Sequence, residues 1–157
     1  MKHSYSWALK CCATLGPVGY FPAPGTAATL LTLPFVWITR GSITSEWHYL
    51  LLIIMLAVVS FFCIKRAQFA FPGKRDPSSI VLDECLGTFI TFCFVSMNIK
   101  SLVIGFILFR FFDIFKLFGI STCERIKGVL GILLDDIVSG VYANIILHLI
   151  IRFLQVA

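Results

Sequence analysis

Apolar runs long enough to enter a bilayer recur along this chain, and most of the charged residues inside them are acidic. The longest uncharged run is Trp47 to Ile64, 18 residues whose only possible charge is on His48, and it predicts a hydrophobic helix. Ser101 to Phe118, carrying Arg110, Asp113 and Lys116, and Val129 to Ile151, carrying Asp135 and Asp136, are also long enough to span. Ile80 to Met97 comes close to that length, with Asp83 and Glu84 confined to its first turns. Thr26 to Thr39 has only 14 residues and contains Pro34, a pattern that fits a short or tilted span or a re-entrant segment. The connections are brief and punctuated, as at Gly41-Ser42, Pro72-Gly73 and Asn98-Ile99-Lys100. A second domain has no place between them. The pattern predicts an all-α, multi-pass membrane helical bundle with about four or five hydrophobic helices, a single domain over residues 1–157.

Composition agrees with this picture. Of 157 residues, 59% are hydrophobic and 13% charged, with a mean hydropathy of +0.94, too apolar for an ordinary soluble domain. No basic stripe with interleaved aromatics accompanies the net charge of +5, so a nucleic-acid partner is not expected; the natural anionic partner is a lipid headgroup. The six cysteines form no C-x-x-C pair and read as small buried hydrophobes. His3, His48 and His148 are scattered and read as structural. Lys2 and Lys10 enclose no long apolar run, so no signal peptide is expected. Trp37, Trp47 and Tyr49 read as an interfacial belt.

The basic residues assign the sides. With a cytoplasmic N-terminus and five crossings, Lys2, Lys10, Lys65, Arg66, Lys74, Arg75, Lys116, Arg125 and Lys127 face the cytoplasm, and Arg40, Lys100 and Arg152 the other side. Asp83 and Glu84 then begin their helix at the cytoplasmic face, Asp113 lies a turn from the cytoplasmic end of its own, and Asp135 and Asp136 lie about 10 Å into theirs. All five acids converge at one face.

An aspartate at the centre of a membrane helix costs about 2.5–3.5 kcal/mol even on mild scales, so five converging acids point to a cation site. Hard oxygen donors without histidine or cysteine suit Mg²⁺ first, which binds through one or two carboxylates plus substrate phosphate. Arg110, Asp113 and Lys116 recur every three residues and share a helical face, a carboxylate between two cations. Gly87 lies one turn from Asp83, and Gly140 and Asn144 one and two turns from Asp136, giving the acids open or polar neighbours. Gly25-Thr26, at the start of a helix, offers N–H groups and a hydroxyl to an anion. Structural roles stand beside these: dipole complementation for Asp83 and Glu84, an ion-pair ladder for Arg110, Asp113 and Lys116, helix packing for the glycines. The adjacent pair Asp135-Asp136 fits a structural role least well, since adjacent acids repel. No cysteine is followed six residues later by arginine and no Asp-x-Asp occurs, so a covalent phosphoenzyme is not indicated.

Four segments, Tyr20-Phe21-Pro22-Ala23-Pro24-Gly25-Thr26, Ile80-Val81-Leu82-Asp83-Glu84-Cys85-Leu86-Gly87, Phe109 to Lys116 and Gly131 to Gly140, resemble in order and spacing the motifs of the phosphatidylglycerophosphatase A family. The resemblance runs from about Gly19 to Gly140, with departures at Lys116-Leu117, Glu124-Arg125, Gly128-Val129 and Ala28-Thr29. It implies a Mg²⁺-dependent enzyme of the bacterial inner (cytoplasmic) membrane, with its active site at the cytoplasmic face, that hydrolyses phosphatidylglycerophosphate to phosphatidylglycerol and phosphate. On this reading Asp83, Glu84, Asp113, Asp135 and Asp136 supply metal ligands, and the catalytic set is Asp83, Glu84, Asp113 and Asp136. Arg110, Lys116, Arg125, Gly25 and Thr26 hold the phosphate, and the partner is a phospholipid in the membrane. The rival readings are a small transporter or ion-coupled protein using the acids as a cation path, and a non-catalytic scaffold.

Overall fold

The computed structural model describes residues 8, 10–67, 79–117, 119–124, 126 and 128–156. Among the described residues, six α-helices follow a short 3₁₀ turn at Val18–Tyr20: α1 (Pro24–Ser42), α2 (Glu46–Ala67), α3 (Leu82–Thr91), α4 (Ile99–Phe115), α5 (Ile120–Glu124) and α6 (Val129–Val156). No strand occurs among the described residues.

Local chemistry sets several boundaries. Pro24 opens α1 where a missing N–H leaves no bond unmade. The helix then runs through Pro34 for 19 residues, longer than the 14-residue run predicts. Asn98 and Ser101 close a reciprocal capping box at the start of α4, Ser101 N donating to Asn98 Oδ1 at 2.9 Å and Asn98 N to Ser101 Oγ at 3.0 Å. Lys116, with φ of 46°, ends α4 in the left-handed region. It therefore does not continue the face shared by Arg110 and Asp113. The polar stretch after it contains the short α5.

The main departure from expectation is α3. The sequence predicts a near-spanning helix over Ile80 to Met97, whereas α3 has 10 residues, about 15 Å of helix, followed by a turn in which Phe94 has φ of 59°. This short helix sits at the centre, packed against α1, α2, α4 and α6. Its closest approach is to α6: a Cβ on Gly140 would lie 2.6 Å from Gly87 O, and one on Gly87 would meet the Phe109 ring and Asp136 O. Both glycines are required by backbone-to-backbone packing.

A helix that stops inside an apolar surround leaves carbonyls needing donors. Side chains of three other helices supply them. Tyr49 of α2 donates through its hydroxyl to Phe89 O at 3.0 Å. Asn144 of α6 donates to Thr91 O at 2.9 Å and Cys93 O at 2.8 Å. Arg40 of α1 donates to Val95 O at 3.1 Å while gripping Glu46 with both terminal nitrogens at 2.7 and 2.9 Å. His148 Nε2 lies 3.1 Å from Cys93 O. Two expectations change accordingly. Tyr49 is fully buried, with the Arg40 guanidinium 4.7 Å from its ring centroid, and is not part of an interfacial belt; Trp37 and Trp47 are exposed. Asn144 belongs to this cap at the far end of α3, not to the acid site.

Two helices among the described residues are long and apolar enough to cross a membrane, Glu46–Ala67 and Val129–Phe153. Only 17% of the apolar window of the first is buried. Leu51, Ile54, Val58 and Phe62 of α2 and Ile107 and Ile114 of α4 are all more than half exposed, a surface that lipid covers and water does not. Among the phenylalanines of α4, Phe109 and Phe112 enter the core and Phe111 and Phe115 point outward. Cys93 is buried, Cys12 exposed and the other four intermediate, so burial of the cysteines is less complete than expected.

Replacing Asn144 by leucine strips Thr91 O of this donor and leaves Cys93 O with His148. The expected loss is on the order of 1–3 kcal/mol, measured as a lowered unfolding midpoint in detergent.

Candidate active site

At the other end of α3 the first turn carries Asp83 and Glu84, next to α6 and the end of α4. Carboxylate oxygens of Asp83, Glu84 and Asp136 all lie within 4.8 Å of one another. Asp83 and Asp136 are buried, at 6% and 4% exposure. Asp83 Oδ1 accepts from the Glu84 N–H at 3.2 Å. Glu84 Oε2 and Asp136 Oδ1 are buried without a hydrogen-bond partner among the described residues. Two orphaned carboxylate oxygens facing a third acid are unfavourable without a cation.

Asp113 closes the cluster from α4, interacting with both Glu84 and Asp136, and its Oδ2 lies 2.6 Å from Arg110 Nη1. The contact is an ion pair, and Arg110 Nε and Nη1 are buried without a hydrogen-bond partner among the described residues. Asp135 turns elsewhere. Successive helical residues point about 100° apart, so while Asp136 faces the acids, Asp135 meets Lys116, with Nζ to Oδ2 at 2.9 Å. The left-handed turn at Lys116 brings its ammonium to this partner.

Gly25, in the first turn of α1, completes the enclosure. A Cβ there would sit 3.0 Å from Arg110 Nη1 and closer still to Glu84 Oε1, so backbone comes against the acid and the guanidinium with no room for a side chain. The α1 N-terminus, with the unsatisfied N–H groups of its first turn, therefore borders the cluster. Thr29 Oγ1 back-bonds to Gly25 O at 2.8 Å, and Thr32 Oγ1 contacts Cys85 Sγ at 3.1 Å, fixing α1 against α3. Arg125 lies outside the described residues.

An all-oxygen donor set of three converging carboxylates fits a hard divalent cation. Charge balance points the same way: among the described residues, Asp83, Glu84, Asp113 and Asp136 gather beside the guanidinium of Arg110, while Lys116 pairs with Asp135.

The profile described as Phosphatidylglycerophosphatase A matches residues 11–151. The chain belongs to the phosphatidylglycerophosphatase A family. It is 33% identical over 155 residues to a protein of Escherichia coli named phosphatidylglycerophosphatase A, covering 96% of this chain and 86% of that one. It is 31% identical over 131 residues to one of the same name from Haemophilus influenzae, covering 82% and 79%. A protein of Bacteroides thetaiotaomicron named putative phosphatidylinositol-3-phosphatase is 31% identical over 137 residues, covering 82% and 84%. No solved structure matches. With such relatives and two helices of membrane-crossing character, this phosphatidylglycerophosphatase A family member is membrane-associated.

The sequence reading did not find the pairing of Lys116 with Asp135, because a three-residue spacing assumes that the helix continues through Lys116. Nor did it find the Thr32 contact to Cys85, which joins two helices through residues of ordinary membrane-helix type.

In a Gly25→Ala variant the atoms that must yield are the flexible ends of Glu84 and Arg110, so the site shifts while the fold persists. The expected outcome is a loss of turnover of about 10²-fold with an unchanged unfolding midpoint, followed as phosphate release.

Proposed function

We propose that this chain is a Mg²⁺-dependent phosphatase of the inner membrane that removes the terminal phosphate of phosphatidylglycerophosphate. The observation that carries the proposal is the convergence of Asp83, Glu84 and Asp136, with two orphaned buried oxygens, beside Arg110 and the α1 N-terminus. Family membership supplies the reaction class, and the named relatives from Escherichia coli and Haemophilus influenzae supply the substrate.

In this reading Asp83, Glu84 and Asp136 hold the Mg²⁺. When bound, the ion polarises a phosphoryl oxygen and raises the acidity of water. Arg110 and the N–H groups of Gly25 and Thr26 hold the phosphate and balance the charge that develops on its oxygens. Lys116, held by Asp135, adds positive charge at the rim, Arg125 is a further phosphate-binding candidate from the sequence, and Asp135 acts on the site through that lysine or as a further ligand. Asp113, oriented by Arg110 and set against Asp136, takes the proton of the attacking water. The helix ends bearing these groups share one end of the bundle, and the excess of lysine and arginine in the sequence segments next to those helix ends supports a cytoplasmic active site in a multi-pass arrangement. An ion path spreads its acids across the membrane, whereas these are gathered at one level, which favours catalysis over transport.

The test is phosphate release from phosphatidylglycerophosphate by the detergent-solubilised protein. Release is expected with Mg²⁺ and is abolished by chelator, and phosphatidylinositol 3-phosphate is expected to be the slower substrate. Faster turnover of the phosphoinositide, or release indifferent to chelator, overturns the assignment. Asp136→Asn is expected to lower turnover by on the order of 10²–10⁴-fold in a protein that still elutes as the folded species.

A further inference from the structure

The two longest helices converge where Ile64 and Ala67 of α2 join Val129 and Ile132 of α6 in one buried cluster. Beside that cluster they leave an open groove of 280 Å³, with Ala57, Val58, Phe61 and Phe62 on one wall and Leu130 and Leu134 on the other. Its lining is almost wholly apolar. The groove is at the acid-bearing end of the bundle: its α2 wall ends within two turns of the Ala67 terminus, and its α6 wall lies within two turns of the Val129 start. Asp135 and Asp136 lie about 100° or more around α6 from Leu130 and Leu134, and Asp136 about 60° from Leu133, which also lines the groove.

A cation stands at the mouth of this groove. Lys65 lies one turn beyond Phe61 on the same face of α2, and its Nζ is 5.7 Å from the Phe61 ring centroid. Arg66 follows it, and both are exposed. Neither forms an ion pair among the described residues. An ammonium resting on the aromatic wall of an apolar groove, with a guanidinium beside it, is complementary to one molecule type: an anionic glycerophospholipid with an acyl chain in the groove and its phosphate at Lys65 and Arg66.

We propose that the α2–α6 groove is a binding site for one anionic phospholipid of the surrounding bilayer, separate from the catalytic acids. The site is independent of the phosphatase reading, since none of its residues belongs to the acid cluster. It holds the acid-bearing leaflet's own lipid against the helix that carries Asp135 and Asp136.

Native mass spectrometry of the detergent-solubilised protein, titrated with phosphatidylglycerol or with phosphatidylcholine, tests this. The wild type is expected to retain one phosphatidylglycerol in preference to phosphatidylcholine. Lys65→Glu should weaken phosphatidylglycerol retention on the order of ten-fold and leave phosphatidylcholine unchanged. Ala57→Phe, which fills the groove, should remove the adduct with either lipid; Val58→Trp, on the half-exposed rim, serves if Ala57→Phe does not fold. Asp136→Asn should retain the adduct, separating this site from the catalytic end. Equal retention of the two lipids by the wild type, undiminished phosphatidylglycerol retention in the Lys65 and groove-filling variants, or loss of the adduct in Asp136→Asn overturns the proposal.

Discussion

A ten-residue helix surrounded by four longer helices has to satisfy its own ends, and α3 is that helix. Its last carbonyls sit where water is scarce, so the donors of Tyr49, Asn144 and Arg40 replace the hydrogen bonds that a longer helix would have made within itself. Because those donors come from α1, α2 and α6, the same bonds fix three long helices to the short one. The first turn of α3 is thereby held at a definite depth. That turn carries Asp83 and Glu84, so the polar cap at one end of α3 and the acid cluster at the other are consequences of one short helix and its anchorage.

The electrostatics of the acid end follow from this placement. Among the described residues, four carboxylates gather beside the Arg110 guanidinium, an arrangement that bulk water would screen and a buried site does not. The protein divides the adjacent pair in α6, sending Asp136 into the cluster and Asp135 to Lys116. The surplus of negative charge that remains suits a divalent cation. Close backbone contact is the means by which so many polar groups reach one point. Gly87 and Gly140 bring α3 and α6 together, and Gly25 brings the start of α1 to Glu84 and Arg110.

The outer surface obeys a different rule. Side chains of α2 and α4 are apolar where they are most exposed, which is favourable only against hydrocarbon, and the polar groups are withdrawn to the two ends of the bundle. The α2–α6 groove belongs to this outer surface and the acid cluster to the interior. The two kinds of chemistry therefore stay apart even though both lie at the same end.

Much of this was legible in the chain itself. Long apolar runs fix an all-helical membrane class because no other backbone arrangement without a closed barrel satisfies its hydrogen bonds in lipid, and acids within such runs stand out because burying them is costly. Asp83, Glu84, Asp113 and Asp136 were identifiable on that ground, and their gathering at one end followed from the alternation of helix directions. The length of α3 was not legible, since Phe92 to Met97 is apolar enough to continue a helix and the donors that end it lie about fifty residues away in Asn144 and His148. Nor was the separation of Asp135 from Asp136, or the burial of Tyr49, because both depend on which partner a neighbouring helix presents. Hydrophobic pattern is a local property and sets where helices form. Where a buried polar group finds its partner is decided by packing between distant segments, and that appears only in the tertiary structure.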